Sequence, residues 1–153
     1  MIPFSLGVLL SRNMAGYSQT PLVKKLGIKP DFEVLFVNAP ADFAKQLELP
    51  QGVKVKPALK SRDLDLIILF VTSQKALKGA FPQYGRKIKP DGTLWVSWPK
   101  KASGVQTDLS ENVIRDIGLA TGLVDVKVCA VDEVWSGLKF VFRLKDRPKI
   151  KRT

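Results

Sequence analysis

Two near-continuous apolar runs constrain the fold of this 153-residue chain more than any other feature. They are Phe32 to Asn38 (FEVLFVN) and Leu64 to Thr72 (LDLIILFVT). A strand that is apolar at nearly every position is buried on both faces, which is typical of a parallel sheet covered by helices on both sides. The runs therefore predict an α/β fold with a largely parallel sheet.

Helical and turn signals surround the two runs. Short helices are predicted over residues 20–27 and 40–48, and residues 73–88 predict a longer helix that is interrupted near Gly79 and Pro82. The remaining elements, in chain order, are a brief strand at 52–55, a turn at 89–92, a strand at 93–98, a helix at 109–122 with Asp108 and Ser110 as candidate caps, and an antiparallel pair at 124–131 and 138–144. Together they predict a three-layer Rossmann-like sandwich, mostly parallel, with a C-terminal antiparallel hairpin.

The length suits one domain. We expect residues 1–15 to form a poorly ordered N-terminal extension, residues 16–144 the single α/β domain, and residues 145–153 a basic C-terminal tail. The opening apolar segment is shorter than the roughly 20 residues of a membrane helix, so no membrane association is predicted. The single Cys129 excludes an internal disulfide and favours a cytoplasmic protein.

The chain contains no His, which limits the metal sites and the catalytic groups that it can form. It excludes His-based metal sites and the Ser-His and Cys-His nucleophilic pairs. No metal and no catalytic residue is predicted.

Three segments form a pattern: residues 28–31 before the first strand, residues 89–94 before WVSW, and the final hairpin. This pattern resembles class I S-adenosylmethionine-dependent methyltransferases. The resemblance implies the Rossmann-like fold and, with it, S-adenosylmethionine (SAM) chemistry. However, the turn after the first strand (residues 37–42) has no Gly, and VKVKPALKSR has no acid to bind ribose hydroxyls, so no cofactor is predicted.

More narrowly, the chain resembles a family of small bacterial proteins defined as a domain of unknown function. The likeness covers Gly16 to Arg143 and includes GYSQTPLVKKLGIKP, the NAP turn, GTLWVSWPKKASGVQTDL and VWSGLKFVFR. It implies a bacterial cytoplasmic protein of this fold and gives no activity to carry over.

Three loops are predicted to share a crevice at the carboxyl ends of the strands, where open parallel sheets bind ligands. The WPKKASG loop combines an aromatic ring, two cations and a hydroxyl, which suits an anionic or planar ligand. The alternative is that Trp98 only caps the core and that the two lysines are merely solvated. The candidate ligand-binding residues are Asn38, Asp42, Thr72, Ser73, Trp98, Lys100, Lys101, Ser103 and Gly104.

The net charge of +11 favours anionic partners. We predict a non-catalytic or regulatory binding domain on a methyltransferase-like scaffold, with an anionic ligand or a protein as partner. The alternatives are a SAM-dependent methyltransferase and a protein that associates with nucleic acid or the ribosome. The candidate phosphate contacts for the last alternative are Lys145, Arg147, Lys149, Lys151 and Arg152.

Overall fold

The computed structural model describes residues 20–57 and 61–149. Six strands of this part form one sheet: β1 (Glu33–Val37), β2 (Lys54–Val55), β3 (Leu64–Phe70), β4 (Ile88–Pro99), β5 (Leu123–Ala130) and β6 (Trp135–Phe142). The helices are α1 (Leu22–Leu26), α2 (Phe43–Gln46), α3 (Gln74–Gly85) and α4 (Glu111–Ala120), and short 3₁₀ turns cover Lys101–Ser103 and Leu144–Lys149.

The strand order across the sheet is β2-β1-β3-β4-β6-β5. β1 to β4 pair in parallel, whereas β6 runs antiparallel to both β4 and β5. This confirms the predicted α/β class, with a mostly parallel sheet that ends in an antiparallel hairpin.

Two apolar clusters flank the sheet, as both-face burial of the strands requires. On one face, the side chains of β3 and β4 pack with Leu77 and Phe81 of α3 and Ile114 of α4. On the other face they pack with Leu26 of α1 and Phe43 of α2. The sheet is therefore the middle of three layers.

Trp95 of β4 lies in the middle of the second cluster. Its side chain is completely buried, and its indole Nε1 donates a hydrogen bond of 2.9 Å to the carbonyl oxygen of Leu26. Because that carbonyl lies at the end of α1, one bond satisfies a helix terminus and a buried indole together. This contact fixes α1 to the central strand.

The predicted turn at residues 89–92 is wrong as an element boundary. β4 begins at Ile88 and continues through this segment. Its register with β3 jumps from the pair Leu64 and Ile88 to the pair Leu66 and Thr93, so the extra residues form an irregularity within the strand. A strand can absorb such an insertion as a bulge without ending.

The predicted interruption of α3 near Gly79 and Pro82 is also wrong, because the helix is continuous from Gln74 to Gly85. Pro82 lies in its last turn, where the missing N–H removes a single backbone bond. Leu77 and Phe81 are fully buried and hold the helix against the sheet on the N-terminal side of this proline.

Both chain ends extend beyond the described residues. The predicted extension at residues 1–15 lies outside them, as do Lys151 and Arg152 of the predicted tail. The first part of the tail continues from the domain, and Arg147 donates a hydrogen bond of 3.2 Å from its Nε to the carbonyl oxygen of Phe142. Within residues 20–57 and 61–149, no helix has the length and apolar character needed to cross a membrane.

Two helical glycines provide a matched test of the packing between α4 and β6. A Cβ at Gly118 would overlap the ring of Phe140, whereas a Cβ at Gly79 would meet nothing within 4 Å. We expect Gly118→Ala to lower the free energy of unfolding by about 1–3 kcal/mol because the added methyl overpacks the interface. Gly79→Ala should raise it by about 0.5–1 kcal/mol through helix propensity. Urea unfolding measures both, and a stabilised Gly118→Ala variant would contradict this packing.

Candidate functional site

The strand order creates a switch point between β1 and β3. From β1 the chain moves outward to β2 and then returns to place β3 on the other side of β1. In open α/β sheets, the crevice outside the carboxyl ends of two such strands is where ligands bind. Here Val37 pairs with Leu69 and Phe70 with Ser97, so β1, β3 and β4 all end at the same edge of the sheet.

The turn after β1 carries the first two predicted site residues. Asn38 is exposed and has a φ of 59°, a left-handed conformation that is uncommon for residues other than Gly. Asp42 is exposed and precedes α2 without capping that helix through its side chain. The Asn38 amide and the Asp42 carboxylate therefore lie at the switch-point edge.

An aromatic contact chain supports this turn. The ring of Phe43 meets Phe36 and Phe70 edge to face, with centroids 5.2 Å and 5.0 Å apart. Phe70 in turn meets Trp135 of β6 at 5.1 Å. Such contacts stabilise packed rings beyond simple burial. They link the turn after β1 to β3 and β6. The spacing of apolar residues in the sequence did not predict these ring contacts.

Thr72 and Ser73 follow β3, with different roles. Thr72 is exposed, and its carbonyl oxygen accepts a hydrogen bond of 2.6 Å from the Thr107 hydroxyl. The Ser73 hydroxyl accepts from the backbone N–H of Ala76 at 3.1 Å and is the N-cap of α3. Ser73 thus has a structural partner, whereas the Thr72 side chain faces solvent at the edge.

Asp108 connects the loop after β4 to the start of α3 through two hydrogen bonds. Its carboxylate accepts from the backbone N–H of Gln74 at 2.8 Å, and its carbonyl oxygen accepts from the Gln74 side-chain amide at 2.9 Å. Of the two predicted caps of α4, Ser110 is the N-cap, since its hydroxyl accepts from the Val113 N–H at 3.3 Å. Asp108 was predicted to cap α4 because it lies just before that helix in the sequence. Its partner is instead the N–H of Gln74, 34 residues away in the chain.

The WPKKASG loop is ordered by local bonds. Lys100 donates its backbone N–H to the Val134 carbonyl oxygen at 2.7 Å. The Ser103 hydroxyl donates to the Lys100 carbonyl oxygen and accepts from the Val105 N–H. Gly104 follows with a φ of 80°. These bonds hold a compact turn on which Lys101 is exposed and Lys100 is half-buried.

Trp98 lies within the core beside α3 and α4, and only 7% of its side chain is exposed. Little of its ring is therefore accessible for stacking on a ligand. Ser97, the residue before it, is completely buried, and its hydroxyl has no hydrogen-bond partner in the described part of the chain. A buried hydroxyl without a partner costs about 1–3 kcal/mol, but Ser97 is even less accessible to a ligand than Trp98.

Other candidate features lie elsewhere. The described residues contain no group of three or more His, Cys, Asp or Glu side chains placed to hold a metal ion. A groove of about 520 Å³ runs between α3 and α4 and includes Lys78 and Ile117 in its lining. This groove lies in the outer helical layer rather than between the strand ends.

No protein-family model matches this chain, and no curated protein matches it in sequence, so the narrower resemblance to small bacterial proteins stays a prediction. Solved structures do match. A SAM-dependent methyltransferase from Aquifex aeolicus is 17% identical with a TM-score of 0.58, over 78% of this chain and 86% of that one.

Two further structures show the same likeness. The ribosomal protein L11 methylase from Lactobacillus delbrueckii subsp. bulgaricus is 12% identical with a TM-score of 0.53, over 80% of this chain and 75% of that one. Magnesium protoporphyrin IX methyltransferase from Synechocystis PCC 6803, solved with bound SAM, is 11% identical with a TM-score of 0.53, over 80% and 74%. The chain has the class I methyltransferase-like Rossmann fold. At these identities the likeness establishes the fold and leaves activity open.

The bond between Asp108 and Gln74 gives a test of the site architecture. We expect Asp108→Ala to lower the free energy of unfolding by about 1 kcal/mol, because the carboxylate satisfies a free N–H at the start of α3. Asp116→Ala is the control, since Asp116 is exposed on α4 and should change stability by less than about 0.5 kcal/mol. Equal effects in urea unfolding would mean that Asp108 does not cap α3.

Proposed function

We propose that this chain is a SAM-dependent methyltransferase that binds its cofactor at the switch point between β1 and β3. The observation that carries the proposal is the left-handed, exposed turn at Asn38 on that edge of a methyltransferase-like fold. The solved structures with this fold include several SAM-dependent methyltransferases, and this favours catalysis over the non-catalytic binding role that the sequence first suggested.

The residues at this edge fit the cofactor in part. A left-handed residue directly after β1 gives the tight turn that Gly supplies in many nucleotide-binding loops. β2 and the residue after it are basic, with Lys54 and Lys56, and offer no carboxylate to ribose hydroxyls. Asp42 is the exposed carboxylate on the turn after β1, and we assign it this role. Asn38 would contribute its side-chain amide.

Few side chains are needed for the reaction itself. SAM, when bound, supplies a methyl group activated by its sulfonium. The protein then has to hold an acceptor in line with that group, and positioning alone accounts for much of such catalysis. The absence of His is therefore compatible with the proposal. Thr72 is exposed two residues after β3, and we assign it to substrate contact.

A second candidate function rests on the turn at residues 100–104. Lys101 is exposed on a turn held by the bond between the Lys100 N–H and the Val134 carbonyl oxygen, so its backbone is held just after the end of β4. Such an arrangement suits an anionic ligand without chemistry. In this case Lys100 and Lys101, rather than Asn38 and Asp42, would control binding.

Isothermal titration calorimetry with SAM and S-adenosylhomocysteine tests the first proposal. We expect both ligands to bind and Asp42→Asn to weaken binding by about 10-fold or more, because a hydrogen bond to a charged group contributes about 1.5–3 kcal/mol. Asn38→Gly should also weaken binding, since it keeps the turn and removes the amide. Glu48→Gln, an exposed carboxylate beyond α2, is the matched control.

The outcomes separate the candidates. Absence of heat at millimolar concentrations of both ligands would overturn the methyltransferase proposal. Binding of a nucleotide such as ATP that is lost in the Lys100→Ala, Lys101→Ala double variant but kept in Asp42→Asn would support the second candidate instead. Methyl transfer from radiolabelled SAM to an extract-derived acceptor, lost in Asp42→Asn, would distinguish catalysis from binding alone.

A further inference from the structure

Four lysines gather on the face of the sheet that carries α1. Lys139 of β6 pairs across the strands with Trp95 of β4 on one side and with Lys127 of β5 on the other. Residues that pair in this way point to the same face of a sheet. Because the Trp95 indole is bonded to the end of α1, the region just after α1 lies beside this row. We call Lys25, Lys29, Lys127 and Lys139 the lysine face.

The electrostatic environment agrees with this placement. Partial burial lowers the pKa of Lys139, and the charges of Lys127 and Lys29 lower it further. Burial raises the pKa of the Cys129 thiol, opposed by the charges of Lys25 and Lys127. Both groups therefore feel the same cluster of positive charge, and no carboxylate contributes at either position.

Within the described residues, no carboxylate forms an ion pair with a lysine of this face. In the described part of the chain the ion pairs join Lys89 to Asp65 and Arg115 to Glu111 and Asp125, and none involves the lysine face. All 14 Asp and Glu residues lie within residues 20–57 and 61–149, so the remaining segments contain no acidic side chain that could cover it. Like charges directly opposite on neighbouring strands destabilise a sheet. An external anion would relieve this repulsion.

We propose that the lysine face binds the phosphodiester backbone of a nucleic acid. The four charges come from β5, β6, α1 and the segment after α1, and strands lie about 4.8 Å apart. They are thus spread across a surface instead of enclosing one small anion. A spread of separate cations matches a chain of phosphates, which each lysine contacts singly. The four lysines are not residues of the basic tail, and the proposal does not depend on the proposed methyltransferase activity.

Fluorescence anisotropy of the full chain with fluorescein-labelled oligouridylate and oligothymidylate of 20 nucleotides tests this proposal. Each phosphate contact to a single strand adds about −0.7 to the slope of log K against log salt. We expect the Lys127→Gln, Lys139→Gln double variant to reduce the magnitude of the slope by about 1.4. The Lys75→Gln, Lys78→Gln double variant on α3 removes the same charge from the opposite side of the sheet and should leave the slope unchanged.

A charge reversal keeps the test independent of folding. Lys127→Glu places a carboxylate opposite Lys139, so we expect an unchanged or higher melting temperature together with weaker binding, while Lys75→Glu retains binding. Similar binding of both oligonucleotides would identify the backbone as the shared ligand, and preference for one would identify its source as RNA or DNA. Equal losses in the two double variants, no loss in the lysine-face variants, or binding only to phosphatidylserine vesicles would overturn the proposal.

Discussion

The rest of the structure depends on the burial of residues 94–99 of β4, and above all of Trp95. β4 is the one described strand that pairs in parallel on one side and antiparallel on the other, so it joins the β1 to β3 half of the sheet to the final hairpin. Trp95 also accounts for the position of α1, because its indole requires a partner in an otherwise apolar cluster and finds it at Leu26. Trp95 thus determines both how α1 packs against the sheet and how that helix is oriented.

The arrangement around β4 separates two surfaces with different chemistry. The strand ends of β1 and β3 form an edge with an amide, a carboxylate and a hydroxyl, which we propose as the site of a small ligand. The lysine face lies over the β5–β6 hairpin, is positively charged and does not enclose a ligand. A methyltransferase that acts on a nucleic acid would use both surfaces, whereas a small-molecule enzyme would need only the edge. Because different residues form the two surfaces, a negative result for one proposal leaves the other unaffected.

The sequence predicted the fold well because both-face burial leaves continuous apolar runs such as that of β3, and because alternation in β6 marks an antiparallel strand. It failed where long-range contacts override local signals. The segment from Lys89 to Gly92 reads as a turn, yet Ile88 before it and Thr93 after it both pair with β3, so the strand continues through it. At the candidate site, the loop positions could be predicted from topology. The bond from Asp108 to α3 could not, and the sequence left open whether Trp98 caps the core or faces a ligand, since each depends on residues distant in the chain.

The central claim is that the edge between β1 and β3 is the ligand site of this fold. Nuclear magnetic resonance of the ¹⁵N-labelled protein titrated with S-adenosylhomocysteine tests it most directly, because backbone amides report where a ligand lies. We expect the largest changes in amide chemical shift at Asn38, Asp42 and Thr72, with little change at Lys139. Changes confined to the groove between α3 and α4, around Lys78 and Ile117, or an unchanged spectrum at millimolar ligand, would contradict it.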